Sequence, residues 1–142
     1  MCKEFEVLAP APILDVLTLA AGSSRRRVLV LQHRKSHSVS IRLAGAPIAV
    51  AWLFPETPDR VELCTRFSRA ARPHMRRLIR ICQLMLRPLA DHGVVILARV
   101  GPEDRTRRRM HRLAGFVPTG KDETELRWIG DGRCGEDDLR RQ

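Results

Sequence analysis

Apolar and polar residues alternate most regularly between residues 37 and 68. The segment HSVSIRLAGAPIAVAWLF (37–54) contains two alternating runs on either side of Ala-Gly-Ala-Pro at 44–47, a pattern that predicts a β-hairpin. In VELCTRFS (61–68) the alternation continues and predicts a third strand. The more polar face of that strand carries Glu62, Cys64, Arg66 and Ser68. The middle of the chain is therefore expected to form three antiparallel strands with one buried face.

Helical spacing replaces this alternation in three other segments. From Pro73 to Asp91 apolar residues recur every three or four positions opposite a stripe of arginines, which predicts an amphipathic helix. ILDVLTLAA (13–21) has the same spacing and also predicts a helix. RRRVLVLQHRK (25–35) fits either a strand or a buried helix. We favour a helix there, with Gly22-Ser23-Ser24 as the break and N-cap before it.

The last third of the chain predicts a strand, a helix and a final strand. VVILARV (94–100) is apolar on both faces, as expected of a strand inside a sheet. His92-Gly93 should end the preceding helix, and Pro102 should open a helix that ends at Gly115. KEFEVL (3–8) and TELRWI (124–129) predict the first and last strands. The order is β-α-α-β-β-β-α-β-α-β, with a further short strand allowed at the end. It predicts an α/β fold with a mixed, mostly antiparallel sheet and helices on both faces.

Length and composition favour one folded domain. The chain has 142 residues, of which 44% are hydrophobic and 30% charged, values typical of a globular protein. We expect a single domain over residues 1–130 and a loosely ordered polar tail over 131–142. No apolar run approaches the roughly 18 residues that a membrane span needs. Acidic residues near the N-terminus make a poor signal peptide, so we expect a cytoplasmic protein without membrane contact.

The strongly basic character comes from arginine. The net charge is +10, and the lysines are Lys3, Lys35 and Lys121 alone. Arginine-rich helices predict a solvated surface, contact with the phosphates of a cofactor, or binding of nucleic acid or an acidic protein. Nucleic acid is not favoured, because tyrosine is absent and there are two tryptophans, too few for stacking platforms. The four cysteines lack metal-binding spacing, so no metal is expected.

The element order and the segment HRLAGF (111–116) resemble the GNAT (Gcn5-related N-acetyltransferase) family. In that family a Tyr-x-x-x-Gly-Phe-like signature ends the helix after the central strand, and His111, Gly115 and Phe116 hold the corresponding positions here. GVVILARV looks like the family's fifth strand, and IRLAGAPIAVAWLF looks like its second and third. This hairpin is also similar to those of GNAT-like proteins encoded by phages. The resemblance covers roughly residues 4–129, more by element order than by exact motifs. It implies transfer of an acetyl group from acetyl-CoA to a primary amine.

The resemblance also implies a CoA site around residues 67–77. The family's Gln/Arg-x-x-Gly-x-Gly/Ala signature holds the pyrophosphate with backbone N–H groups and a helix N-terminus. This chain has SRAARPHMRR (68–77) there, without glycine and with Pro73 lacking a donor. The backbone cradle is thereby weakened, and arginines are left to supply the charge. The residues assigned to the cofactor are Phe67, Ser68, Arg69, Arg72, Arg76, Arg77 and Asp104.

Two residues are assigned to catalysis by the same resemblance. Glu62 would act as general base for the amine, often through water; the alternative is a surface glutamate paired with Arg66. His111 stands where the family has a tyrosine that can protonate the CoA thiolate, and an imidazolium with a pKa near 6.5 suits that donation. The alternative is a surface histidine whose pKa the neighbouring arginines lower. Three acids would edge the acceptor pocket and favour a cationic amine, unless they are ordinary loop acids: Asp122, Glu123 and Glu125.

The predicted function is therefore acyl-CoA-dependent N-acetyl transfer by a monomer or homodimer. Two alternatives remain open. One is a catalytically inactive GNAT-like binding or structural module, including a phage-associated one, which the missing glycines favour. The other is a basic nucleic-acid-binding domain, whose affinity would fall steeply as salt rises.

Overall fold

The computed structural model describes residues 4–21 and 26–130, and its helices and strands follow the predicted order. The strands are β1 Phe5–Leu8, β2 His37–Leu43, β3 Ala46–Thr57, β4 Arg60–Phe67, β5 Val95–Arg99, β6 Phe116–Pro118 and β7 Glu125–Trp128. The helices are α1 Ile13–Leu19, α2 Arg26–Lys35, α3 Met75–Asp91 and α4 Arg105–Ala114, with a 3-10 helix at Arg69–His74. The helical assignment of the ambiguous segment 25–35 is confirmed.

Seven strands form one mixed sheet in the order β1-β2-β3-β4-β5-β7-β6. β4 and β5 run parallel over three residue pairs, from Arg60 beside Val95 to Glu62 beside Leu97. The pairs β1–β2, β2–β3, β5–β7 and β6–β7 are antiparallel. The predicted α/β fold with a mostly antiparallel sheet is thus confirmed. The structure also contains a short strand that was not predicted, β6, ahead of β7. A further strand after TELRWI would lie outside the described residues.

The chain divides into two compact units. Among the described residues, the first contains those up to Glu56 and Leu63–His74, and the second contains Thr57–Glu62 and those from Met75 onward. The assignment of residues 1–130 to a single domain stays a prediction. The predicted cap at 22–24 and the predicted tail at 131–142 lie outside the described residues.

In the first unit, a buried polar contact joins α1 to β2. Asp15 is 4% exposed, and its carboxylate accepts hydrogen bonds from the Ser40 hydroxyl at 2.5 Å and from Arg42 Nε and Nη2 at 2.9 Å each. The hydrogen bonds from Arg42 hold the pKa of Asp15 below its ordinary value. Ser40 is fully buried. A buried hydroxyl requires a hydrogen-bond partner, and the Asp15 carboxylate supplies it. Trp52 and Val16 belong to the apolar core of this unit.

In the second unit, α3 and α4 contact each other, and they contact β5 and β6 respectively. Ile96, Leu97 and Ala98 are all buried on β5, which confirms the prediction of an interior strand in VVILARV. On α3 the buried positions are Leu78 and Leu86. Gln83 Nε2 donates a hydrogen bond to the carbonyl of Ala114 at 3.1 Å, which ties α3 to the end of α4.

The ends of α4 explain the segment that precedes Gly115-Phe116. The helix begins at Arg105, not at Pro102, and Asp104 caps it by accepting a hydrogen bond from the backbone N–H of Arg107 at 3.1 Å. Gly115 ends it with φ of 110°, a left-handed conformation that favours glycine. A methyl group added at Gly115 would also overlap the carbonyl oxygen of Gly130. Within the described residues, no helix is long and apolar enough to span a bilayer.

Candidate functional site

One face of the second unit's sheet carries a row of charged side chains centred on Arg99. Arg99 Nη1 lies 2.8 Å from Glu62 Oε2, and Arg99 Nη2 lies 3.8 Å from Glu125 Oε2. Glu125 is 8% exposed, and its other oxygen accepts a hydrogen bond from the Thr119 hydroxyl at 2.9 Å. Glu62, the residue predicted as general base, is therefore held in place by a cross-strand ion pair.

The strand register brings these residues together. Glu62 lies beside Leu97 across the parallel pair, and Glu125 lies opposite Arg99 across the antiparallel pair. Since alternate residues of a strand share a face, Arg99 can reach both acids. Arg66, which the sequence offered as the partner of Glu62, donates to the carbonyl of Leu19 at 3.2 Å. That pairing is wrong because four residues of a strand span about 13 Å, whereas neighbouring strands are about 4.8 Å apart.

The acidic residues between β6 and β7 are occupied by local contacts. The Asp122 carboxylate accepts hydrogen bonds from the backbone N–H groups of Thr124 at 2.7 Å and Glu125 at 3.0 Å, and from the Thr124 hydroxyl at 2.6 Å. The Thr124 hydrogen bonds lower the pKa of Asp122. The carbonyl of Glu123 accepts a hydrogen bond from Arg108. These contacts close the turn, which agrees with the alternative of structural loop acids.

A cavity of about 250 Å³ opens on the same face of this sheet. Leu97 and Val95 of β5 line it together with Glu125, and its other lining residues come from β4, β6, β7 and the loop between β6 and β7. They are Arg60, Val117, Pro118, Thr119, Lys121 and Arg127. Its cationic lining was not predicted from the sequence, because Arg60, Lys121 and Arg127 are far apart along the chain.

His111 is buried, not at the surface of the arginine-rich helix. It is 5% exposed, its Nδ1 donates a hydrogen bond to the carbonyl of Arg107 at 2.8 Å, and its ring packs edge-on against Phe116 with centroids 5.2 Å apart. Burial lowers its pKa below the ordinary value; the hydrogen bond to Arg107 opposes this shift, and the positive charge of Arg107 adds to it. With Nδ1 as the donor, neutral His111 has Nε2 as an acceptor.

The cofactor residues assigned at the end of β4 lie in the first unit. Phe67 is the last residue of β4, and Arg69 and Arg72 lie exposed on the 3-10 helix that follows. The backbone N–H of Ser68 donates to the carbonyl of Ile48 at 2.9 Å, and its hydroxyl is buried without a hydrogen-bond partner among the described residues. Phosphate contact by the Ser68 N–H would compete with an existing backbone bond.

The remaining cofactor residues lie in the second unit. Arg76 and Arg77 are exposed in the first turn of α3, where the helix dipole adds to their positive charge. Asp104 caps α4 and lies 3.9 Å from Arg107 Nε. In the parts of the chain that the structure describes, His, Cys, Asp and Glu form no group suited to a metal ion.

Sequence comparison gives no relatives for this chain. No protein-family model matches it, and no curated protein matches it either.

Many solved structures nevertheless share its fold. Ard1 from Thermoplasma volcanium superimposes with a TM-score of 0.65 at 13% identity, over 87% of this chain and 93% of that one. A GCN5-related N-acetyltransferase from Kribbella flavida gives 0.60 at 16% identity, over 87% and 94%. A GNAT family acetyltransferase from Elizabethkingia anophelis with acetyl-CoA bound gives 0.61 at 13% identity, over 87% and 94%. At such identities the likeness concerns the backbone, and it shows that this chain has the GNAT fold.

Proposed function

We propose that the protein transfers an acetyl group from acetyl-CoA to a primary amine. The observation that carries this proposal is the likeness to solved acetyltransferases over 87% of the chain, including one with acetyl-CoA bound. Fold alone does not determine activity, so the proposal also rests on a carboxylate, Glu62, presented on the sheet beside a cavity.

Glu62 is proposed to accept the proton that the amine loses. The amine nitrogen forms a bond to the acetyl carbon, the carbon–sulfur bond breaks, and the thiolate takes up a proton. Arg99 holds Glu62 in one orientation at 2.8 Å. The proton can pass from the amine to the carboxylate directly or through a water between them.

His111 is proposed as the proton donor to the thiolate. The hydrogen bond from Nδ1 to the Arg107 carbonyl fixes the ring and leaves Nε2 as the atom that exchanges a proton. Because burial lowers the pKa of His111, the imidazolium is a minor form at neutral pH. Its contribution should therefore grow as the pH falls.

Arginine side chains are proposed to hold the phosphates of CoA. Arg69 and Arg72 are exposed on the 3-10 helix of the first unit, and Arg76 and Arg77 are exposed in the first turn of α3 in the second. Guanidinium groups complement phosphate. The N–H groups of Ser68 and Ala71 already donate to backbone carbonyls. The donor set thus fits an anionic cofactor through side-chain charge more than through a backbone cradle, and affinity should fall markedly as salt increases.

Thermal denaturation with acetyl-CoA tests the cofactor part of this proposal. Ligand at about 100 times its dissociation constant should stabilise the protein by roughly 2.7 kcal/mol, which for a chain of this size is a rise in Tm of about 5–10 °C. The double variant Arg76→Gln/Arg77→Gln should weaken binding by about tenfold or more. Arg34→Gln, an exposed arginine on α2, is the matched control and should bind as wild type does.

An inactive binding module is the second candidate, and the occupied N–H groups of Ser68 and Ala71 favour it. It predicts no stabilisation at millimolar acetyl-CoA. A nucleic-acid-binding domain is the third, and the exposed Arg105, Arg109 and Arg112 on one face of α4 favour it. It predicts binding to duplex DNA or RNA that falls steeply with salt and is lost on substitution of these arginines.

A further inference from the structure

The cavity on the sheet of the second unit has cationic walls that the acetyltransferase proposal leaves unused. We propose that it receives an anionic group, a carboxylate or a phosphate, carried by the acceptor amine. This inference rests on the proposed function for the identity of the ligand as an acceptor. An anionic acceptor is the opposite of the cationic amine that Asp122, Glu123 and Glu125 suggested in the sequence.

Several carboxylate oxygens of this region are already engaged in protein contacts. Glu125 is buried between the Thr119 hydroxyl at 2.9 Å and Arg99. Asp122 accepts three hydrogen bonds within its own turn. Glu62 is paired with Arg99 at 2.8 Å. A cationic ligand would have to displace protein contacts to reach Glu125 or the paired oxygen of Glu62.

Three cations line the cavity together with the buried Glu125. Arg60 is half-buried, and Lys121 and Arg127 are exposed. None of the three forms an ion pair with another residue in the described ranges. They reach the cavity from β4, from the loop between β6 and β7, and from β7. Three cations that line one small space raise the local concentration of anions and favour their binding.

The strand register links this cavity to the proposed general base. Leu97, which lines the cavity, lies beside Glu62 on β4 and opposite Arg127 on β7. Neighbouring strands are about 4.8 Å apart, so an anion held at Arg127 lies about two strand spacings from Glu62. A short acceptor could therefore place its anionic end among the cations and its amine near Glu62.

The size of the cavity limits the ligand. Its volume of about 250 Å³ is below the range of about 300–1,000 Å³ typical of drug-sized ligands. It therefore fits a small amino acid, an aminoalkyl phosphate, or the acidic end of a larger molecule. In the transfer the anionic group is unchanged: the nitrogen–carbon bond forms, the carbon–sulfur bond breaks, and the amine proton leaves through Glu62.

Matched acceptors test this inference. Release of CoA would be measured with ω-amino carboxylates, ω-aminoalkyl phosphates and α,ω-diamines of equal chain length, from about two to six carbons. We expect the best anionic acceptor to exceed its diamine by about tenfold or more in kcat/KM. Preference for carboxylate over phosphate, or the reverse, identifies the anion. Equal rates, or faster transfer to the diamines, would overturn the proposal.

Charge-neutral variants locate the anion. Arg127→Gln and Lys121→Gln should each raise KM for the anionic acceptor by about tenfold, with less effect on the diamine and little on kcat. Arg34→Gln, an exposed arginine of α2 that does not line the cavity, is the control and should match wild type. Equal losses for both acceptors in Arg127→Gln would contradict the assignment.

A binding measurement separates this inference from the proposed function. Inorganic phosphate and acetate would be titrated while backbone amide resonances of residues 117–127 are followed by NMR. Saturable shifts of these resonances that are lost in Arg127→Gln, without any acetyl transfer, would support the anion site and contradict the acetyltransferase activity. Acetyl transfer without such shifts, and without preference for anionic acceptors, would support the activity and contradict the anion site.

Discussion

Replacing Asp15 by asparagine should destabilise the protein and remove part of its sensitivity to acid. In the native protein the Asp15 carboxylate accepts hydrogen bonds from Ser40 and Arg42. The asparagine amide keeps the shape but loses the charge and turns one acceptor oxygen into a donor that faces the guanidinium. At least one charge-assisted hydrogen bond is lost, at about 1.5–3 kcal/mol. We expect a loss of about 2 kcal/mol in the free energy of unfolding at pH 7.

The pH dependence of this loss follows from the pKa of Asp15. Because Arg42 holds the pKa of Asp15 below its ordinary value, the folded state binds the proton more weakly than the unfolded state, whose pKa is near 3.9. The stabilisation is fully present above about pH 5 and is lost as the pH falls through the lower pKa of the folded state. The difference between wild type and Asp15→Asn should therefore shrink below about pH 4.

Urea denaturation at several pH values between 7 and 2 measures this difference. Asp91→Asn, which changes an exposed acid on α3, is the control and should stay within about 0.5 kcal/mol of wild type. A loss below about 0.5 kcal/mol in Asp15→Asn at pH 7 would refute the buried network as a source of stability. A difference that does not change with pH would refute the titration argument.

Three further predictions concern the second unit. Gly115→Ala should lower Tm by 5 °C or more or prevent folding, because the methyl group overlaps the Gly130 carbonyl at a left-handed residue; a normal Tm would contradict that close approach. His111→Ala should reduce kcat by about 100-fold with little change in acetyl-CoA affinity, and wild-type turnover would remove His111 from catalysis. Burial raises the pKa of Cys82 to about 11, so peptide mass spectrometry should find it alkylated by iodoacetamide at pH 8.5 at least about tenfold more slowly than free cysteine. Equal rates would show that its thiol is not shielded.

The fold was predictable wherever the period of the sequence was strong. The hairpin at 37–54, the long helix that ends at Asp91 and the interior strand at 95–99 each carry a pattern that one kind of element satisfies. Boundaries were less predictable. Helix α4 was expected to begin at Pro102, but Asp104 caps it, because a carboxylate that accepts a hydrogen bond from the Arg107 N–H is the stronger start signal. β6 has three residues, too few to show a period.

The site was less predictable because its contacts depend on register. Glu62 was identified by resemblance, but its partner Arg99 lies on another strand and follows from the β4–β5 pairing. The burial of Ser40 could not be predicted, because its partner Asp15 is 25 residues away along the chain. For His111 the sequence left a surface position open, and the structure instead buries its ring against Phe116. The environment of a polar residue can be predicted only when the position of its partner is known.

Acceptor-dependent release of CoA by wild type and Glu62→Gln tests the central claim most directly. With the best acceptor of the matched series, Glu62→Gln should lower kcat/KM by about 100-fold or more near pH 7.5, the usual size of a general-base contribution. Glu103→Gln, an exposed glutamate ahead of α4, should react as wild type does. No acceptor-dependent release by wild type, or an undiminished rate in Glu62→Gln, would contradict acetyl transfer at this site.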